Sequence, residues 1–124
     1  MEAKNFRIGN LIASKTWSCF GVIGGIEKFR SHTEFKVGGH IHKFKENEYF
    51  DLKPIVLTEE LLTQLGFVKD KTEIAVYYNG DFEIQLPVYF KYKDSHLRKL
   101  KYVHELQNLF FALEGQELDA DSMI

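Results

Sequence analysis

Lys101-Tyr-Val-His-Glu-Leu-Gln-Asn-Leu-Phe-Phe-Ala-Leu-Glu-Gly115 decides how the rest of the chain has to be arranged. Val103, Leu106, Leu109, Phe110 and Leu113 recur at intervals of three and four, one side of an α-helix. Gly115 stands where a left-handed C-terminal cap is wanted. Fully burying each large apolar side chain contributes about 1.5–3 kcal/mol, so this helix needs a broad apolar surface to lie on. A β-sheet is such a surface, and much of the remaining sequence reads as strand. The expected fold class is therefore α+β.

The sheet under the helix is expected from Thr72 to Leu86, a hairpin centred on Asn79-Gly80. A three-residue loop, Tyr78-Asn79-Gly80, pairs Val76 with Phe82 and Ile74 with Ile84. Ile74, Val76, Phe82, Ile84 and Leu86 then share one face, and Glu73, Tyr77, Asp81, Glu83 and Gln85 the other. A two-residue loop mixes polar and apolar residues on both faces, so a type I turn with Gly80 in a G1 bulge is favoured. Val88–Tyr92 continues as a strand. Leu97 to Tyr102 reads better as a further strand than as the start of the helix, although Leu97, Leu100, Val103 and Leu106 also keep helical spacing. Upstream, Thr58 is an N-cap, Glu59 and Glu60 suit the positive end of a helix dipole, and Leu61, Leu62 and Leu65 form a buried stripe. Gly66 and Phe67 resemble a Schellman ending.

The first 57 residues read as a small barrel. Phe6–Ile12 predicts a strand entered through a Gly-Asn turn or bulge, and Trp17–Phe29 is strand-like but interrupted by Gly21, Gly24 and Gly25. Gly38-Gly39 marks a hairpin. A two-residue loop there pairs Val37 with His40 and Phe35 with His42, and avoids burying Lys43 and Lys45. Asp51–Leu57 closes the set as an edge strand, where Pro54 is tolerated. These elements predict an SH3-like half-open barrel over 1–57, an α+β unit over 58–115 and a fraying acidic tail over 116–124.

Hydrophobic content of 44% over 124 residues supports a real core and excludes wholesale disorder. The single Cys19 cannot form an internal disulfide, and the N-terminal residues contain no apolar signal core, so a reducing cytoplasm is the expected location. No apolar run approaches the ~18–20 residues that span a bilayer, so no membrane partner is expected. Residues 1–57 carry 9 Lys/Arg and 6 Asp/Glu, net +3, whereas 58–124 carry 7 and 12, net −5. The plain reading is two solvated surfaces, since neither half shows a dense basic block.

Candidate chemistry is sparse. His40 and His42 project to one side of a strand, and with His32 across the hairpin they could offer nitrogens to a transition metal. They fit no compact ligand spacing. Cys19 lacks any base signature and reads as a small buried hydrophobe. His104, Gln107 and Asn108 form a polar group on the last helix, of the kind that usually satisfies backbone groups or faces water. Gly21-Val-Ile-Gly24-Gly25 is not followed by a helix and so makes no phosphate loop. No constellation outlines an active site, and neither an enzyme nor a cofactor is expected. Arg7, Lys15, Trp17, Lys28, Phe29 and Arg30 are the candidates for a nucleic-acid interface, because small barrels hold single strands with exposed aromatics among cations.

Arg7-Ile-Gly-Asn-Leu-Ile12, Pro54-Ile-Val-Leu-Thr-Glu-Glu-Leu-Leu62 and the 101–113 stretch followed by Gly115 and Glu117-Leu118 resemble a group of small uncharacterised proteins. These are encoded in prophages and other mobile elements of anaerobic gut bacteria. The resemblance implies a phage-associated accessory role and carries no ligand or catalytic residue. The expectation is a non-catalytic protein acting through an unidentified protein partner. The alternatives are a nucleic-acid-binding small barrel and, more remotely, a histidine-based metal binder. Self-association is compatible with edges near Pro54 and Val88–Tyr92 that need covering.

Overall fold

The computed structural model describes residues 6–14, 20–45, 50, 52–73, 75–86, 89–93 and 95–120, with 95–99 described by backbone alone. Among the described residues ten strands and two helices follow one another: β1 Leu11–Ser14, β2 Gly21–Lys28, β3 Thr33–Val37, β4 His40–Phe44, β5 Leu52–Lys53, α1 Glu59–Gln64, β6 Val68–Lys69, β7 Val76–Asn79, β8 Phe82–Gln85, β9 Tyr89–Tyr92, β10 Ser95–Lys99 and α2 Val103–Glu114. They form two antiparallel sheets, ordered β4-β3-β2-β1-β5 and β10-β9-β8-β7-β6. The α+β class and the C-terminal helix agree with the sequence. Among the described residues β4 and β5 are the outer strands of an open sheet and do not pair into a closed barrel.

β1 belongs to both cores. Successive residues of a strand face opposite sides, and here Ile12 packs with Phe6, Ile23, Phe35, Val37 and Leu52, whereas Leu11 packs with the helices and the second sheet. The strand itself is shorter than Phe6–Ile12 suggests. Asn10 N–H donates to Arg7 C=O at 3.0 Å, closing a turn through Gly9 at φ +96°. Gly9 N–H to Ile23 C=O at 2.8 Å and Ile23 N–H to Asn10 C=O at 2.9 Å already tie this turn to β2, and the regular strand runs from Leu11. The expected edge strand 51–57 is likewise reduced to Leu52–Lys53, because Pro54 has no N–H for a ladder. Beyond it the chain crosses to the second unit. Leu57 N–H donates to Lys101 C=O at 2.9 Å and Val103 N–H to Ile55 C=O at 2.8 Å.

The Gly38-Gly39 hairpin has the register argued from its lysines, with Val37 opposite His40 and Phe35 opposite His42. Both glycines have positive φ, +56° and +83°, as a type I′ turn requires. The second hairpin corrects the sequence reading. Its loop is Gly80-Asp81, so Asn79 pairs with Phe82, Tyr77 with Ile84 and Val76 with Gln85. Gly80, at φ +60°, takes the first loop position, which a type II′ turn reserves for glycine. The expected pairing counted Tyr77 as a surface residue. In fact Tyr77 is 2% exposed and packs in the core with Phe82 and Ile84, and Ile74 lies outside the described residues.

α1 is capped as expected: Leu61 N–H donates to Thr58 Oγ1 at 3.3 Å. Its end is a full Schellman pair, Phe67 N–H to Leu62 C=O at 2.9 Å and Gly66 N–H to Thr63 C=O at 3.1 Å. Of the expected strand Leu97–Tyr102 only Leu97–Lys99 lies in β10, which begins earlier, at Ser95; Tyr102 forms an isolated bridge with Val56, and α2 starts at Val103. Backbone N–H groups of Lys101 and Tyr102 donate to the Glu105 carboxylate, each at 3.0 Å, which fixes the helix start. The C′ residue Gly115 is left-handed at φ +75°.

α2 lies on the second sheet. The Phe110 and Phe82 rings are 4.7 Å apart, in one core with Tyr77, Ile84, Phe90 and Leu106. Its buried face is rotated from the apolar stripe. Val103, His104, Leu106, Gln107 and Phe110 are buried, while Leu113 is 37% exposed. Gln107 occupies the inner side because the neighbouring turn needs polar partners, and His104 packs there against the Phe6 ring. The tail expected to fray is held as far as it is described, with Leu118 5% exposed in the same core and Ala120 against it.

Candidate functional site

The polar side chains of α2 bind the start of the chain. Gln107 Oε1 accepts from Leu11 N–H at 2.8 Å, and Gln107 Nε2 donates to Gly9 C=O at 3.2 Å. Asn108 Oδ1 accepts from Asn10 Nδ2 at 2.7 Å and from Arg7 Nε at 2.9 Å. The Arg7 guanidinium also pairs with Glu117 and lies 4.7 Å from the centre of the Phe111 ring. Two stretches about a hundred residues apart, Arg7–Ile12 and the 101–118 region, thus meet in one hydrogen-bonded joint. Arg7, a candidate for nucleic-acid contact, is engaged in that joint. His104 sits beside it, 4% exposed, its ring 4.6 Å from Phe6 and stacked at 5.8 Å on Tyr102. Its Nδ1 has no hydrogen-bond partner among the described residues. Burial lowers the pKa of this imidazole, with the Glu105 carboxylate opposing the shift.

The β2–β3 hairpin tip holds three more candidates. Lys28, Phe29 and Arg30 are all exposed, and the Phe29 ring stacks on His32 at 4.8 Å and 16°. Phe29 is 45% exposed and so not core. His32 is held by Glu34 through Nε2 and by Ser31 through Nδ1, each at 2.9 Å. It therefore shares the face of Glu34, whereas His40 and His42 pair with Val37 and Phe35 and belong to the opposite face. The three histidines do not converge. Among the described residues no cluster of three or more His, Cys, Asp or Glu could hold a metal ion. Lys15, Trp17 and Cys19 lie outside the described residues.

Sequence reasoning missed the outer face of the second sheet. Register places Val68, Tyr78, Glu83 and Lys91 in one row across β6, β7, β8 and β9, with Gln85 and Tyr89 in the next. Val68 is 69% exposed, Tyr89 51% and Tyr78 37%, on the side away from α2. Beside them is a depression of about 220 Å3 lined by Tyr78, Gly80, Asp81, Glu83, Lys91 and Lys93. Desolvation, then the hydrogen bond to Glu83, pushes the Tyr78 phenol up to about 12. Asp70 is lowered to about 2, first by the backbone N–H of Glu73 and then by that of Thr72. Tyr78 stays a neutral donor beside Asp70, whose carboxylate stays charged, a stable polar border rather than an acid–base pair poised near neutrality. The findable signal was Tyr89 within the alternating 89–92 segment; exposure of Val68 depends on tertiary register.

Fold and surfaces together define an α+β chain of two antiparallel sheets, one carrying a helix on its inner side and, on its outer side, exposed Val68, Tyr78 and Tyr89 interleaved with Glu83, Gln85 and Lys91. Compared with known protein-family models, with curated proteins and with solved structures, the chain matches none. Among the described residues no helix is long and apolar enough to cross a membrane.

Proposed function

We propose that this chain is a non-catalytic accessory protein of a phage or mobile element, cytoplasmic, acting by protein contact through the outer face of the second sheet. One observation carries the reading: Val68, Tyr78 and Tyr89 are exposed on one side of a sheet whose other side is sealed by α2. Exposed aromatic and aliphatic side chains grouped on a rigid face are the composition of a protein-binding patch. The first sheet is read as an SH3-like half-open barrel, a reading supported by its meander order with β5 returning beside β1.

A second reading, nucleic-acid binding, is favoured by a separate observation, the exposed Phe29 stacked on His32 between Lys28 and Arg30. The two are separated by one experiment. Protein contact predicts that Val68→Ser with Tyr89→Ser releases a partner co-purified from the native host, while Phe29→Ala retains it. Nucleic-acid binding predicts a shift of single-stranded DNA or RNA at low salt, lost steeply as salt rises and lost in Phe29→Ala. A partner retained by the sheet variant would refute the first reading, and no shift with any nucleic acid the second.

A further inference from the structure

The net charge of −5 over residues 58–124 hides a strong local excess of the other sign. Between Tyr89 and Tyr102, Lys91, Lys93, Arg98, Lys99 and Lys101 stand against Asp94 alone, a net of +4. Five of that half's seven cations thus fall in the β9–β10 hairpin and the residues just after it. β10 is the outermost strand of its sheet, so one side of its backbone has no ladder partner among the described residues. Lys93 and Lys101 are exposed, and their ammonium groups lie 5.3 Å from the Tyr92 and Tyr102 ring centres, which steadies the charges at the surface. Lys93 also has φ +48°, a conformation that favours Gly or Asn, so a cation stands where the backbone prefers another residue.

An edge strand with unpaired backbone groups is a template for an added strand, and its charges select what is added. Two copies of this edge repel one another, which disfavours self-pairing through it. Single-stranded nucleic acid is held by successive bases stacking on free aromatic faces. Here Tyr92 and Tyr102 already carry lysines, and Tyr89 is the exposed aromatic. We propose that the β10 edge takes an acidic, extended segment of a partner protein as an added β-strand. This rests on the protein-contact reading and names the chemistry of the partner.

The test uses the full chain with a short labelled peptide of alternating Glu and Val, and with oligothymidylate as competitor. The expected result is salt-sensitive peptide binding with backbone amide shifts confined to Ser95–Lys99 and its neighbours. Lys93→Asn with Lys101→Gln, which leave the backbone free to keep its conformation, should slow association about tenfold. Ile41→Ser, exposed on the other sheet, should leave it unchanged. Absence of binding, shifts elsewhere, or displacement by oligothymidylate at lower concentration than the peptide would overturn the proposal. If the peptide fails while the native partner is still lost through Val68→Ser with Tyr89→Ser, the edge proposal falls and the contact reading stands.

Discussion

Replacing Gln107 by Met tests the joint between α2 and the start of β1. Gln107 is 2% exposed, and its amide serves two backbone groups, Leu11 N–H at 2.8 Å and Gly9 C=O at 3.2 Å. Methionine has similar length and refills the space but offers neither an amide donor nor a strong acceptor. Leu11 is fully buried, so its N–H loses this acceptor without gaining water. That costs about 1–3 kcal/mol, and the lost bond to the half-exposed Gly9 adds about 0.5–1.5 kcal/mol. The predicted total is about 1.5–4.5 kcal/mol. For a chain of this size that corresponds to a fall in Tm of about 6–18 °C. Urea unfolding followed by circular dichroism measures it, and amide exchange at Leu11 should accelerate beyond the global change. A loss under about 0.5 kcal/mol, within the range of ordinary surface substitutions, would refute the claim that this side chain closes the joint.

Further outcomes are expected elsewhere. Phe110→Ala removes a ring packed on Phe82 and should cost about 3–5 kcal/mol in chemical denaturation. Glu117→Gln breaks an ion pair with partners 30% and 43% exposed; after solvent screening it should cost at most about 1 kcal/mol, shrinking further in high salt. Because the folded-state pKa of His104 is depressed, its contribution is complete above the unfolded value near 6.5 and is lost as pH falls below it. Urea midpoints should therefore drop between neutral and mildly acid pH in the natural sequence, and by less in His104→Leu. Thr58→Ala should cost about 1 kcal/mol as a lost cap, seen as a lower urea midpoint.

Local chemistry made several elements legible. Thr58, Gly66 and Gly115 marked helix ends through backbone needs that hardly depend on the rest of the fold, and Lys43 and Lys45 fixed the first hairpin because burying them is costly. The second register failed for a specific reason. Maximal separation of polar from apolar residues treated Tyr77 as polar, yet most of its surface is ring. Its hydroxyl meets Glu59 at the start of α1, a partner outside the hairpin. Leu118 was illegible because one leucine in an acidic segment has no periodicity, and only the tertiary fold supplies its slot. For Gln107 and Asn108 the sequence left backbone partners and solvent both open; Gln107 serves backbone groups and Asn108 the side chains of Arg7 and Asn10, all about a hundred residues distant and without a local signal. The outer face of the second sheet depended on the register that was misread, and averaging charge over half the chain concealed the basic hairpin.

The most direct measurement is site-specific photo-crosslinking in the native host, with benzoylphenylalanine placed in turn at Val68, Tyr89 and Ile41. Ile41 is a fair control, being 56% exposed on the other sheet. The account predicts one discrete crosslinked protein from the Val68 and Tyr89 positions and none from Ile41. Crosslinks from Ile41 alone, or adducts to nucleic acid instead of protein at all three, would contradict it.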